Sequence, residues 1–312
     1  MKSYISRKFP LETRTTGQNF DRFGALRVRL RVISHWLIGL WHITSAMKMK
    51  SRVLRTPALA VVVLLVAAAA SADEVKVITS GAFTAAYLQL VPEFEHATRH
   101  KIVTAFGASM GTGPNTIPSR LQRGEPADVV ILAGSALDEL IKQGKVVAGS
   151  RVDLVRSLMG MAVRAGAPRP DIASVEAFKQ TLLRAKSIAI SSSASGLYLS
   201  TEVFERLGIA GQMKSKTRIS EEAVGTLVAS GDAEIGFQQI SELLPVPGID
   251  YVGPLPAGVQ RETVFSAGIV SGARAPDAAR ALITFFASPA AAPTVRKTGL
   301  EPMTSLASVT GR

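Results

Sequence analysis

The sequence predicts an α/β protein of two lobes, with parallel-rich sheets flanked by helices and a cleft between the lobes. Short β-rich segments alternate with segments of helical periodicity from residue 75 onward. This alternation favours parallel strands with helices on both faces of a sheet. Glycine- and proline-rich connections around 150–159 and 245–258 are typical of paired crossovers between two lobes. The predicted division is lobe one at residues 73–157 and 253–312, and lobe two at 158–252.

The first 72 residues differ from the rest of the chain in charge. Of the net charge of +12, residues 1–72 hold +10 and residues 73–312 only +2. Lys48, Lys50, Arg52 and Arg55 precede the 13-residue apolar run Ala58–Ala70, and Ala70-Ser71-Ala72 is a small-residue cleavage site. The run is shorter than the roughly 20 residues that span a bilayer. We therefore predict an upstream region plus a secretory signal peptide cleaved near Ala72, and a periplasmic mature protein. An uncleaved anchor is the alternative, and Met1, Met47 and Met49 are all candidate starts.

Composition excludes several classes of function. The chain has no cysteine, which removes disulfides, thiolate metal sites and thiol catalysis. A near-neutral mature region argues against a nucleic-acid groove. His96 and His100 are four residues apart and could share a helix face, but charged neighbours favour an exposed face, and we predict no metal or cofactor. Gly107–Gly113 lacks the pattern of a P-loop or a dinucleotide fingerprint. Since the mature region has no further histidine, a base for a Ser195 triad is missing.

Individual helices and strands are predicted from hydrophobic periodicity and from the residues that begin or end them. In the first helix, apolar residues recur at helical spacing, and Pro92 predicts a kink or break. Gly144 ends one helix and Ser174 caps another. The predicted strands are Val75–Thr79, Lys101–Phe106, Asp128–Leu132, Leu158–Val163, Ser187–Ile190, Ala233–Phe237, Tyr251–Val252 and Thr263–Ile269. The predicted helices are Phe83–Thr98, Pro118–Arg123, Ser135–Gln143, Ser174–Leu183, Gly196–Leu207, Glu221–Ala229 and Asp277–Ala287.

Small polar residues follow the predicted strands, where parallel sheets bind ligands. Hydroxyls, glycines and amides recur there, with no lysine or arginine among them. Backbone N–H groups, serine hydroxyls and helix dipoles can hold an anion without salt bridges. The candidate ligand-binding residues in these loops are Ser80, Gly81, Ala82, Ser109, Met110, Ser195, Gly196, Ser220, Glu221, Gln238 and Gln239.

Five segments resemble periplasmic molybdate-binding proteins of ABC importers. They are Val77–Thr84, Phe106–Gly111, Gly124–Val130, Ala194–Tyr198 and Ser230–Gly236. The similarity covers residues 75–303 and marks this chain as a divergent member. It implies a type II periplasmic binding protein fold with an oxyanion between the lobes, and it adds Tyr198 to the candidate site.

The resemblance also implies changes in the ligand. The family's second-loop serine matches Ser109, and Ser195 stands where the family has alanine. Ala82 stands at the first-loop serine, with Ser80 as a nearby replacement. Glu221 stands at a ligand-binding valine and Gln239 at the tyrosine that contacts molybdate. These extra amide and hydroxyl groups favour a larger, more oxygenated ligand than molybdate.

Two functions from different classes remain open. The leading one is a monomeric solute-binding protein that captures a small oxyanion or organic acid, molybdate-like or a carboxylate, for an ABC permease in the inner membrane. The alternative is an exported isomerase of a small tricarboxylic acid such as aconitate, with Glu221 as the base. The competing interpretation of Glu221 is a first-turn carboxylate favoured by the helix dipole. A sensor or scavenger of the same fold is a third possibility.

Overall fold

A computed structural model describes residues 72–303 of the chain. The predicted signal peptide and upstream region, and residues 304–312 of predicted lobe one, lie outside the described residues. Within 72–303, no helix is both long enough and apolar enough to cross a membrane.

The described chain forms two β-sheets. The strands are β1 (Glu74–Thr79), β2 (Lys101–Phe106), β3 (Val129–Ala133), β4 (Val152–Ser157), β5 (Met159–Arg164), β6 (Ile188–Ser191), β7 (Thr217–Ser220), β8 (Ile235–Gln239), β9 (Ile249–Pro254), β10 (Thr263–Ile269) and β11 (Glu301–Pro302). The first sheet has six strands in the order β11-β4-β10-β3-β1-β2, and the second has five in the order β7-β6-β8-β5-β9.

Helices cover both faces of each sheet. On the first sheet, Phe83 and Tyr87 of the first helix pack against Phe286, with ring centroids 5.4 and 5.7 Å apart. On the second sheet, Phe178 packs edge-on against Phe237. The helices are α1 (Gly81–Thr98), α2 (Ile117–Gln122), α3 (Gly134–Lys142), α4 (Val175–Arg184), α5 (Ala194–Tyr198), α6 (Phe204–Arg206), α7 (Ala210–Lys214), α8 (Val224–Ser230), α9 (Ile240–Leu243), α10 (Pro276–Phe286) and α11 (Ala292–Lys297), with a π-helical turn at Leu199–Val203 between α5 and α6.

Each sheet is mixed rather than mainly parallel. In the first sheet β1 is parallel to β2 and β3, whereas β10 is antiparallel to β3 and β4. In the second sheet β6 is parallel to β7 and β8, whereas β5 is antiparallel to β8 and β9. The antiparallel strands β5 and β10 are entered directly from the other sheet, so the helical crossover that keeps strands parallel is absent there.

Two crossovers join the sheets, and glutamine side chains hold them together. The chain passes from Ser157 to Met159 and returns between β9 and β10. The side-chain carbonyl of Gln260 accepts from the Met159 N–H at 3.0 Å, and its amide donates to the Met159 carbonyl at 2.8 Å. At the end of β8, the Gln239 carbonyl accepts from the Ser157 hydroxyl at 2.8 Å, and its amide donates to Thr263 at 3.4 Å.

Several predicted boundaries are wrong for identifiable reasons. Helix α1 continues through Pro92 without a break, because Pro92 is exposed and water can reach the Leu88 carbonyl that lacks an N–H donor. The predicted connection at 150–159 contains β4, whose Asp153 is paired with Arg151 at 2.8 Å, so its charges are tolerated in a strand.

The region before α8 was also misassigned. Residues 217–220 form the edge strand β7, and the Glu222 N–H donates to the Ser220 hydroxyl at 3.0 Å in a turn. Helix α8 therefore begins at Val224, and Glu221 lies in the preceding loop rather than in a first helical turn. Gln238 and Gln239 end β8 instead of following it. His100 lies beyond the end of α1, so it does not share a helix face with His96.

Candidate functional site

A cavity of about 440 Å³ lies between the two sheets, at the ends of β1 and β6. Residues from both sheets line this cavity, which is the cleft of the described chain. A ligand bound there would contact both halves. Nine of the twelve predicted site residues line the cavity: Ser80, Gly81, Ala82, Ser109, Ser195, Ser220, Glu221, Gln238 and Gln239.

The other three predicted residues do not line this cavity. Met110 and Tyr198 line a separate cavity of about 460 Å³. The Tyr198 hydroxyl donates to the Val259 carbonyl at 3.1 Å, and the Arg261 guanidinium lies 3.8 Å above its ring, so Tyr198 packs the second core. A side chain at Gly196 would overlap the Ser191 carbonyl, so this glycine allows α5 to approach β6 closely.

The first sheet contributes donors that the described residues leave free. Ser80 is the N-cap residue of the 18-residue helix α1, and its hydroxyl is buried with no hydrogen-bond partner among the described atoms. The first N–H groups of α1 lack intrahelical partners and present a partial positive charge. The Ser109 hydroxyl accepts from the Ala133 N–H at 2.9 Å, which leaves its own hydrogen available to donate.

The second sheet contributes a cluster of hydroxyls and one fixed amide. The Ser191 and Ser195 hydroxyls are 3.5 Å apart, and Ser191 also accepts from the Ser193 N–H at 3.0 Å. The Gln238 side-chain carbonyl accepts from the Val224 N–H at 3.1 Å. This contact fixes which end of the Gln238 amide points toward the cleft.

The charges of the cleft are negative. Among the described residues, no lysine, arginine or histidine lines the cavity, but Glu221, Glu222 and Glu242 do. Glu221 and Glu222 are exposed at the rim. The Glu221 carboxylate lies directly against Gly113, which belongs to the loop after β2, so this contact spans the cleft.

Glu242 is a cavity residue that the sequence reasoning missed. It lies on α9, where its carboxyl accepts from the Gln238 amide at 2.9 Å and from the Gln239 backbone. Burial raises the pKa of Glu242 to about 7, against the lowering effect of these two hydrogen bonds. Adding a side chain at Gly81 would overlap the Glu242 carboxyl, so this group lies at the start of α1. The spacing of Glu242, three residues after the N-cap Gln239, is that of a capping box and was the available signal.

The Gly124–Asp128 motif lies away from the cleft. The buried Asp128 carboxylate accepts from the backbone N–H groups of Lys76 at 2.7 Å, Arg274 at 2.6 Å and Ala275 at 3.1 Å. These contacts join β1, β3 and the start of α10 at the opposite end of the first sheet. The motif therefore stabilises the fold and lies too far from the cleft to bind the ligand.

Comparisons with known proteins agree with this architecture. Residues 75–301 match a family model described as bacterial extracellular solute-binding protein. An aconitate isomerase from a Pseudomonas species is 47% identical over 255 residues, which cover 80% of this chain and 97% of that protein. The molybdate-binding protein ModA of Azotobacter vinelandii is 29% identical over 245 residues, which cover 75% of this chain and 92% of that protein.

The fold is shared with solved structures. The periplasmic molybdate-binding protein of Azotobacter vinelandii superposes with a TM-score of 0.59 and 23% identity, covering 72% of this chain and 98% of that structure. The matches confirm the predicted resemblance to molybdate-binding proteins and the type II fold.

Proposed function

Because this chain belongs to the bacterial extracellular solute-binding protein family, we propose that it is an exported isomerase that uses the family's cleft to interconvert forms of a small tricarboxylic acid such as aconitate. The observation on which this depends is that glutamate carboxyls, Glu221 and Glu242 among them, line an anion site. A carboxylate beside a bound anion weakens binding, whereas a proton-shifting enzyme needs such a group as a base. The 47% identity to an aconitate isomerase supports the choice of substrate.

Neutral donors would bind the substrate carboxylates. The Ser80 hydroxyl and the first N–H groups of α1 have no competing partner among the described residues. Ser109, Ser195 and the other serines of the cleft add hydroxyl donors from both sheets. Several such bonds replace the salt bridges that other anion sites use. The cavity volume of about 440 Å³ is in the range of small-molecule sites.

Incubation with cis- or trans-aconitate in D2O, followed by proton NMR, tests this function. We expect the two isomers to interconvert and deuterium to enter at the carbon that gains a proton. A chain that binds aconitate yet neither interconverts the isomers nor incorporates deuterium would contradict the proposal.

The second candidate is a solute-binding protein that delivers a small anion to an ABC permease, acting as a monomer. The similarity to ModA and the glutamine-linked crossovers between the sheets favour it, since crossovers of this kind can act as hinges. A panel of oxyanions and carboxylic acids tests it through the rise in Tm that ligand binding requires. Tight binding of one anion without any turnover of aconitate would favour this candidate over the isomerase.

Export and processing are part of either candidate. The predicted cleavage near Ala72 and the periplasmic location remain proposals, which the mass of the mature protein from a periplasmic fraction would test. Glu221 also remains a candidate base, because it lines the same cleft.

A further inference from the structure

We propose that Glu242 is the catalytic residue that removes and returns the proton, and that Gln238 is the residue that positions it. This inference rests on the proposed isomerase function. It concerns a residue that the resemblance to molybdate-binding proteins did not indicate.

Contacts between the two sheets fix the place of Glu242. The neighbouring Ser241 hydroxyl donates to the Ala82 carbonyl at 2.8 Å and is buried, which ties α9 to the first turn of α1. The Glu242 carboxyl then lies against Gly81 and opens into the cavity. The unpartnered Ser80 hydroxyl lies one residue away from Gly81. A substrate carboxylate bound at the start of α1 would therefore bring its adjacent carbon close to the Glu242 carboxyl.

Gln238 has the geometry of a positioning residue. Its carbonyl is held by the Val224 N–H at 3.1 Å, so its amide nitrogen must face away from α8. That nitrogen donates to the Glu242 Oε1 at 2.9 Å. The amide thus orients the carboxyl and favours its charged form, which is the form that accepts a proton.

Within residues 72–303, Glu242 has no cationic partner. Helix α8 and strand β8 contain no titratable side chain. In the cavity itself, the other titratable groups among the described residues are Glu221 and Glu222, both exposed at the rim. The remaining titratable or charged residues on elements packed against α9 do not line the cavity, namely Tyr87, Glu93, Glu95 and His96 of α1, Arg164 of β5, and Asp250 and Tyr251 of β9.

Burial in this setting raises the pKa of Glu242 to about 7. Both protonation states are then populated near neutral pH, so the same group can accept a proton and give it back.

The proposed step balances without a cofactor. The Glu242 carboxylate takes a proton from the methylene carbon of the substrate, and the C–H electron pair spreads over the three-carbon allyl system and its carboxylates. The protonated Glu242 then gives the proton to the other terminal carbon, which shifts the double bond by one position. Substrate and product have the same formula, and the geometry of the new double bond makes the product cis or trans.

Steady-state kinetics of the mature chain with trans-aconitate test the assignment. We expect Glu242→Gln to lower kcat by about 1,000-fold, the range of general acid–base catalysis, with KM changed only a few-fold. Glu242→Asp should recover part of that loss. Glu205→Gln removes an exposed carboxylate of α6 outside the cleft and should leave the rates unchanged. Circular dichroism confirms that each variant is folded.

The pH profile tests the role of Gln238. Gln238→Ala removes the donor to the charged carboxyl, so the acidic limb of kcat/KM should move to higher pH. A merely structural role would lower the rate without moving the limb, and that result would overturn the positioning role.

The possible failures are distinguishable. An inactive wild-type chain overturns the isomerase function and this inference with it. An active wild type whose Glu242→Gln variant keeps kcat within tenfold overturns only the inference. A loss that appears in Glu221→Gln and not in Glu242→Gln assigns the base to Glu221 instead.

Discussion

Asp128 and Glu242 are carboxyl groups near opposite ends of the first sheet, and their surroundings differ: Asp128 is buried, whereas Glu242 is partly buried. Asp128 accepts from three backbone N–H groups and lies outside the cleft. Glu242 accepts from one side-chain amide and one backbone N–H, and it faces a cavity of about 440 Å³. Three backbone N–H groups from separate segments hold the Asp128 carboxylate in one place, which suits a structural role. Glu242 has fewer donors, so burial has the larger effect on its pKa. Its carboxyl can therefore accept a proton near neutral pH.

The largest expected effect is the loss of stability on replacing Asp128. Asp128→Ala removes the acceptor of three buried N–H groups, which should lower the free energy of unfolding by about 4 kcal/mol. Asp128→Asn is the matched control, because it keeps one acceptor oxygen and should lose less. Urea denaturation measures both variants. A loss below about 1 kcal/mol for Asp128→Ala would contradict a structural role for the Gly124–Asp128 motif.

The pH dependence of stability tests the other carboxyl. The pKa of Glu242 is higher in the folded protein, at about 7, than its ordinary value of 4.5. The folded chain therefore binds more protons between these values, and the free energy of unfolding falls as pH rises through this window. We expect the loss to reach about 3 kcal/mol by pH 8.

Glu242→Gln separates this contribution from those of other groups. The variant cannot ionise at this position, so it should lose that part of the pH dependence and exceed the wild type in stability at pH 8. Equal slopes for the two proteins between pH 5 and pH 8 would contradict the burial of this carboxyl.

A side chain at Gly81 should disturb Glu242 more than it disturbs the fold. The new methyl group in Gly81→Ala would overlap the carboxyl, which can rotate away at little cost to stability. We expect kcat to fall about tenfold, equivalent to roughly 1.4 kcal/mol. Gly211→Ala is the matched control, because no atom lies within 4 Å of the added group in α7. Equal kinetics for the two variants would show that Glu242 has another productive position.

The smallest effects distinguish two serines of the cleft. Ser109→Ala leaves the Ala133 N–H without its acceptor and should cost about 1 kcal/mol of stability. Ser80→Ala removes a hydroxyl that has no partner among the described residues, so stability should change by less than about 0.5 kcal/mol. Calorimetric titration with trans-aconitate should nevertheless show weaker binding for Ser80→Ala. Unchanged affinity would exclude Ser80 from the ligand site.

The sequence predicted the parts of the fold that depend on local patterns. The strands at 101–106 and 263–269 were predicted to the residue, because their runs of β-branched and aromatic side chains have clear ends. Strand β4 was missed because its charges are paired only in the folded chain, through contacts such as that of Arg151 with Asp153.

The site, like the fold, was predictable only where it depends on local patterns. The predicted strand ends indicated which hydroxyls and glycines line the cleft. The order of strands and helices places the loops after parallel strands at the same edge of a sheet. Glu242 was missed because α9 has only four residues and shows no periodicity, and its place is set by packing on α1. Its chemistry depends on burial that no local pattern reports.

Titration of Glu242 tests the central claim most directly. Carbon NMR of protein labelled at the glutamate carboxyls can follow each signal with pH, and the Glu242→Gln variant identifies the one that belongs to Glu242. We predict that the signal that disappears in the variant has a midpoint near pH 7. A Glu242 signal with a midpoint below pH 5 would contradict the proposed proton carrier.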